Sequence, residues 1–429
     1  MKMTFRIAAA LVASSFAAAA PATSLHNARN VRLVGGQVYF TAYDDKTGYE
    51  LYVADAALLS AGRVIDLVPG AESSYGTAVG TLGTRLLVET VEAGGAYLWS
   101  IDPQRGSRTR LAMLGYGSLQ APKTHPVGPV GSRNVFTVND GNTNSDTLWA
   151  SDGTPAGTVP VLDHVGKTCA LSGRVLAVRW NAGGGVSIWY TDGTTAGSSL
   201  AFTPTAAVYW AQVAQAGDYC YFALPRSIDG SSGWELWRSN GTPNGSNLLA
   251  QIADGRPLAI GVSGTTAYVL DGTAQQTRLW RSDRAQPVST QEGYAADAMM
   301  QVAGNRVAYT SPFAYGNSTR NGLFVSDGTA AGTQRIGGVL GPVDAPYCLR
   351  TLGSRLLALD WYGRWSIDPL SAGWRLSPMS DLLICDSVER GGVLAGADGS
   401  QAWRSDDTDA GTRAIEEKTD RLYAASFDP

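Results

Sequence analysis

Charge is scarce in this chain. Asp, Glu, Lys and Arg together make up 16% of its 429 residues, against about 25% in an ordinary soluble domain. Lys and Arg (33) nearly cancel Asp and Glu (37), leaving a net charge of −4. No basic face is expected, and so no nucleic-acid partner. Histidine is scarcer still: His26, His125 and His164 are the only three, and none stands in an HxH or HExxH spacing. That pattern argues against a His-based metal site or triad. The chain also has no GxSxG nucleophile elbow and no P-loop glycine motif. After the first 22 residues no apolar run approaches the roughly 20 residues a bilayer demands, so no membrane span is expected. Disorder is excluded as well, because it needs low hydrophobicity with high net charge, whereas 44% of these residues are hydrophobic and 9% aromatic.

Glycine, in contrast, is abundant, with 51 copies. Each costs a helix interior about 1 kcal/mol relative to Ala. A turn-dense, all-β chain is the reading that follows.

Residues 1–22 have the form of a secretory signal peptide. Lys2 and Arg6 supply the positive start, Ile7 to Ala20 is a small-residue apolar stretch, and Ala20-Pro21-Ala22 fits the small-x-small cleavage pattern. A transmembrane anchor is the competing reading, but the 14-residue run is short for one. A periplasmic or secreted protein is expected, with residues 23–429 forming one domain.

Repetition dominates that domain. The clearest copies are LWASDGTPAGT from Leu148, IWYTDGTTAGS from Ile188, ELWRSNGTPNGS from Glu235 and LFVSDGTAAGT from Leu323, with a worn AWRSDDTDAGT from Ala402. Shorter copies begin at Glu50, Leu98, Leu279 and Arg364. Nine units result, marked by Tyr52, Trp99, Trp149, Trp189, Trp237, Trp280, Phe324, Trp365 and Trp403, at a mean spacing of about 44 residues. A Gly-led turn and an apolar strand precede most markers, as in GGQVYFTAY from Gly35 and GSRNVFTV from Gly131. The Asp-Gly that follows is a hairpin signal, and the second glycine, as in Ala156-Gly157-Thr158, suits a bulge. Alternation sends Leu and Trp of Leu-Trp to opposite faces of the sheet, where stacked neighbours can bury both. Four strands per unit, repeated radially, predict a β-propeller of eight or nine blades.

These residues resemble the bacterial ELWxxDGT repeat family of exported proteins. Four copies match its DGT-x-x-GT core, with Asn240 for Asp in one and Ser for the last Thr in two. The resemblance implies repeat architecture and export, and it brings no catalytic residues. Some members carry a C-terminal sorting domain; none is expected after the last repeat here.

Candidate chemistry is sparse. Asp102, Asp152, Asp192, Asp283, Asp327, Asp368 and Asp406 share one turn position, where Asp caps its own backbone. Asp140, Asn142, Asn144 and Asp146 place side-chain oxygens at alternate positions, the spacing of a calcium loop. Ser145 and Ser151 replace the expected Gly and Glu, so calcium competes with a plain polar loop and no other cofactor is expected. The four cysteines, Cys169, Cys220, Cys348 and Cys385, allow three connectivities. Their repeat positions favour Cys169–Cys220 and Cys348–Cys385 between neighbouring units, with buried free thiols as the alternative. Five Trp lie outside the marker position. Among these, the adjacent aromatics Tyr209-Trp210 and Trp361-Tyr362 are the best candidates for an exposed binding platform. The segments before the Trp strands vary in length, from Ala182–Val186 to Pro225–Gly233 and Ser311–Asn321. Such loops on a rigid repeat scaffold are where recognition resides. The expected function is a non-enzymatic binding or scaffold protein for a glycan, peptide or envelope or extracellular protein. A polysaccharide lyase or hydrolase using channel carboxylates, Arg and Tyr is the alternative.

Overall fold

The computed structural model describes residues 25–92, 94–115, 123–139, 145–205, 211–227, 231–242, 244–293, 298–315, 318–337, 343, 346–379, 385 and 387–418. The proposed signal peptide at 1–22 lies outside them. The described elements are 36 strands in eight sheets. Six sheets have four strands; one of five spans 26–63 with an added C-terminal strand; one of seven spans 124–202. The seven-stranded sheet is two four-stranded units that share Val159–Leu171, outermost in one and innermost in the next. Nine units of four antiparallel strands result, each holding one marker. In chain order they are residues 26–63, 77–115, 124–171, 159–202, 212–252, 256–292, 300–336, 348–376 and 387–414.

The marker always sits on the third strand and faces a residue of the second strand in register: Phe40 with Tyr52, Phe136 with Trp149, Phe222 with Trp237, Tyr309 with Phe324. Successive side chains on a strand leave opposite faces, and the packing follows that rule. Leu148 is fully buried against Val175 and Ala177 of unit 4, while Trp149, its neighbour, packs on Val79 and Leu87 of unit 2. The same two-way packing recurs around the molecule and produces nine hydrophobic clusters, one between each neighbouring pair of units. The ninth of these joins the ends, with Phe40 and Tyr52 of unit 1 against Ala395 and Ala402 of unit 9. Innermost strands pack side by side in chain order from unit 1 to unit 8, and His26–Val34 also packs on the strands Ser387–Arg390 and Val393–Ala397. Glu416–Glu417 then pairs in parallel with Ser60–Arg63, the outer strand of unit 1. The arrangement is propeller-like, with each unit buried on both faces by its neighbours.

The markers pack, yet they are not uniformly buried. Tyr52, Trp280, Phe324 and Trp365 are inside; Trp99, Trp149, Trp189, Trp237 and Trp403 are half-buried. The wider indole places its N–H at the rim, where most of these five find an acceptor: Trp99 donates to Thr90 Oγ1 (2.9 Å), Trp189 to Ser187 Oγ (3.0 Å), Trp237 to Glu235 Oε2 (2.7 Å) and Trp403 to Asp398 Oδ2 (2.7 Å).

The turn after the marker is, in five units, a repeated hydrogen-bond cassette. In unit 3, Asp152 Oδ1 accepts from Thr154 N–H (3.0 Å) and Thr154 Oγ1 (2.7 Å), and Thr154 Oγ1 accepts from Gly157 N–H (3.0 Å). Ser151 Oγ and Thr158 Oγ1 close the hairpin at 2.8 Å. The same Asx contact recurs at Asp192, Asn240, Asp327 and Asp406. The first glycine is there for its backbone: Gly153 has φ of +87°, a conformation that costs other residues a Cβ clash. The second glycine is not the bulge residue that its position implied. A Cβ on Gly157 would meet the Asp152 carboxylate at 2.0 Å, so the site needs space. The register shift lies instead on the outer strand, opposite Leu148 and Trp149.

Candidate ligand-binding face

Antiparallel order divides each unit's connections between two ends. The Gly-led turns and the DGT cassettes fall at one end, called here the turn face. The second-to-third-strand loops and the links between units fall at the other, the loop face. Every variable segment picked out in the sequence therefore belongs to the loop face. Two of them are compact or open loops: Asn181 and Gly185 close one with an N–H to carbonyl bond of 3.0 Å, and Arg226 N–H reaches Gly233 O at 2.8 Å in another. The third, Ser311–Asn321, is not a loop. Strands Arg306–Tyr315 and Ser318–Ser326 continue their pairing out to Tyr315 opposite Ser318. The run is built from strand-favouring aromatic and β-branched residues, Phe313, Tyr315 and Thr319 among them.

The sharpest feature of this face lies on unit 8. Asp360 is buried, and its Oδ1 accepts the N–H groups of Tyr362 and Gly363, each at 2.8 Å. That Asx turn lets two residues join the second and third strands, and both of them, Trp361 and Tyr362, point outward. Trp361 is 83% exposed and Tyr362 50%. Tyr347, at the start of the unit, is tied by its N–H to Leu359 O (2.9 Å) and is also 50% exposed. Its ring centroid lies 5.5 Å from that of Trp361. Tyr347 and Trp361 thus form a pair of exposed rings, with exposed Tyr362 next to Trp361 in the same turn. Pairwise alternation singled out Trp361 and Tyr362; Tyr347 lies on another strand and carries no sequence signal of its own.

The other candidates fare differently. Tyr209 and Trp210 lie outside the described residues, as do Asp140, Asn142 and Asn144. Asp146 is described, and its carboxylate accepts from Thr137 Oγ1 (2.9 Å) and Asn139 Nδ2 (3.0 Å). Trp234 is buried with its Nε1 on Asp271 Oδ2 at 2.8 Å. Trp374 is 46% exposed on an outer strand and packs edge-on to Trp365.

Four buried carboxylates lie away from the platform, and burial raises two of them, Glu50 and Asp271. Burial pushes Glu50 up to about 7, against hydrogen bonds from Ser74 and Leu67, with Asp66 adding to the rise. Burial also raises Asp271, opposed by Arg278, whose Nη2 approaches to 2.6 Å. Glu89 accepts Lys123 N–H (2.8 Å), Thr124 N–H (2.9 Å) and Thr124 Oγ1 (2.6 Å), fixing the first residues of unit 3. Glu235 accepts from Thr205 and Trp237. These acids, two of which carry the Glu of the repeat motif, hold one unit to the next. Arg32 does the same on the inner strands: it donates to Ala78 O (3.1 Å) and Thr124 O (2.6 Å), and burial lowers it to about 10.

Two disulfides join neighbouring units, Cys169 to Cys220 and Cys348 to Cys385, with Cα atoms 6.2 and 5.8 Å apart. This is the pairing that the repeat positions favour. Disulfides persist in oxidising compartments, which fits a periplasmic or extracellular protein. Among the described residues no helix is long and apolar enough to cross a membrane.

No known protein family and no curated protein matches the chain. Among solved structures it is similar to a puromycin hydrolase, at 14% identity and a TM-score of 0.39, over 81% of this chain and 60% of that one. It is also similar to a prolyl endopeptidase (12%, TM-score 0.40, 77% and 54%) and to oligopeptidase B from Leishmania major (9%, TM-score 0.41, 76% and 52%). The chain thus spans about 60% or less of the length of these enzymes. None of these likenesses is close enough to bear on function.

Proposed function

We propose that this chain is an exported repeat protein of the ELWxxDGT type, folded as a closed nine-bladed β-propeller, and that it binds a glycan at its loop face without covalent chemistry. The observation that carries the binding assignment is the platform of Tyr347, Trp361 and Tyr362. Large exposed rings cost solvation, and a contiguous group of them marks an interaction surface. Trp and Tyr offer broad apolar area with a polar edge, which suits the apolar face of a sugar ring. The supporting indole-to-tyrosine contact and the Asx turn beneath Trp361 keep the surface ordered before any ligand arrives. Closure of the ring is supported by the ninth hydrophobic cluster and the parallel strand at Glu416–Glu417.

The test is binding of the purified full chain to a glycan array and to insoluble polysaccharides, followed by Trp361→Ala and Tyr362→Ala. Retention that falls in both variants, with unchanged melting, supports the reading. Capture of an envelope protein in place of any glycan, through the same two residues, would replace the ligand class. Turnover of a polysaccharide by the purified chain would replace the function.

A further inference from the structure

Half of the large apolar side chains exposed among the described residues belong to unit 8 and its entry: Tyr347, Trp361, Tyr362, Leu370, Trp374 and Leu376. Trp374 and Leu376 stand on the outermost strand, Gly373–Leu376, all four residues of which are exposed.

Strand register relates these two to the aromatic turn. Leu349 stands opposite Ala358, Ala358 opposite Trp365, and Trp365 opposite Leu376. Cross-strand partners share a sheet face, and so do residues two apart on one strand. Trp374 and Leu376 therefore lie on the face that carries Trp365. Asp360 and Gly363, which pair at the foot of the Trp361–Tyr362 turn, lie on it too. It is the face turned to unit 7, where Leu349, Ala358 and Trp365 pack. Gly363 leaves the middle of it bare. A Cβ there would stand 3.3 Å from Trp365 Cζ2 and 3.6 Å from Leu376 Cδ2, so Leu376 borders the turn directly. Trp374 continues the surface outward, its ring edge-on to Trp365 at 5.2 Å. First and fourth strands are about 14 Å apart at the usual strand spacing.

Charge is sorted by the same alternation. Arg350, Arg355, Arg364 and Arg375 all fall on the opposite face, with Asp368. Arg350 reaches Cys385 O, and Arg355 and Arg375 reach Asp407 of unit 9. The one charged residue that the strands of unit 8 turn toward unit 7 is Asp360, which is buried with Oδ1 committed to the turn.

We infer that the glycan held at Trp361 is a neutral, linear polysaccharide whose chain runs on across Gly363 to Leu376 and Trp374. The inference rests on the glycan reading of the platform and adds its class. A single sugar or a chain end is recognised by a concave pocket that encloses it. Here the rings are open to solvent and spread over the width of the unit, which suits successive sugar rings of one extended chain. An acidic chain would meet no cation on this face to pair with its carboxylates.

The experiment is calorimetry on the full chain with cellobiose, cellohexaose, chitobiose, chitohexaose and polygalacturonate. At least one neutral hexasaccharide should bind about tenfold or more tightly than its disaccharide, and polygalacturonate should not compete with it. Trp374→Ala should weaken the hexasaccharide about tenfold and leave the disaccharide unchanged. Leu376→Asp, at a more exposed position, checks the same end of the surface should Trp374→Ala melt early. Equal affinity for disaccharide and hexasaccharide, or preference for polygalacturonate, overturns the inference. So does unchanged hexasaccharide affinity in folded Leu376→Asp. If Trp361→Ala still abolishes binding in those cases, the platform reading survives without it. Failure of all five probes to bind overturns the inference, and the glycan array then decides the platform reading separately.

Discussion

The turn face and the loop face of this molecule are made from the same repeats and obey different rules. On the turn face, five units build one cassette with nearly the same hydrogen-bond lengths; Asp152, Asp192, Asn240, Asp327 and Asp406 each accept the N–H two residues on at 2.9 to 3.1 Å. On the loop face the described connections vary in length and form. One is a two-residue aromatic turn, one an extended hairpin, one an Asn181–Gly185 loop. Repetition is kept where one hairpin chemistry closes the unit and is relaxed in the connections at the opposite end. Surface connections can vary cheaply on a scaffold whose cores are fixed.

The comparison can be broken in several ways, beginning with the scaffold itself. Trp234→Ala removes a fully buried indole from the cluster between units 5 and 6 and strips Asp271 of one donor. It should cost about 4 kcal/mol of stability by denaturant melting. Trp361→Ala, of equal size on the loop face, should cost less than about 0.5 kcal/mol. Equal losses would erase the division.

Glu50 gives the next largest effect, read as pH dependence. It ionises near 7 when folded, against an ordinary value of 4.5. The folded chain therefore holds the proton more tightly than the unfolded one. That contribution is fully present below pH 4.5 and is lost as pH rises through 7. Between those limits the native protein should lose about 2–3 kcal/mol that Glu50→Gln does not lose. Parallel stability profiles for the two proteins would show that Glu50 does not titrate there.

Two glycines then sharpen the contrast. Gly157→Ala places a Cβ on the Asp152 carboxylate, whereas Gly183→Ala on the loop face meets nothing within 4 Å. The first should cost about 2 kcal/mol and the second almost nothing. Thermal melts of the pair decide it. A smaller effect than that of Gly157→Ala belongs to the cassette's outermost bond. Thr154→Ala removes the hydroxyl that joins Asp152 to Gly157 and should cost about 1 kcal/mol, with no change in glycan retention.

Much of this was written in the sequence because it is local. Period and turn chemistry act over a few residues, so nine markers, the Asx cassettes and the alternation that buries Leu148 one way and Trp149 the other could be read from spacing alone. The cysteines could be assigned because the repeat supplies equivalent positions, which converts sequence distance into spatial neighbourhood. Even here tertiary packing amended the reading. Gly157 is required by a neighbouring carboxylate, and Ser311–Asn321 prolongs its strands, pairing out to Tyr315 opposite Ser318.

The binding features could not be read in that way. Tyr347 joins Trp361 only because the link into unit 8 returns beside that unit's hairpin. Arg29 has the look of any inner-strand arginine until Tyr49 and Tyr75 close around it. The sequence by itself determined the unit, its strand order and its turns, since each rests on contacts within about 44 residues. Which rings stay exposed was decided by tertiary packing, because units laid on one another bring together residues whose positions no local pattern relates.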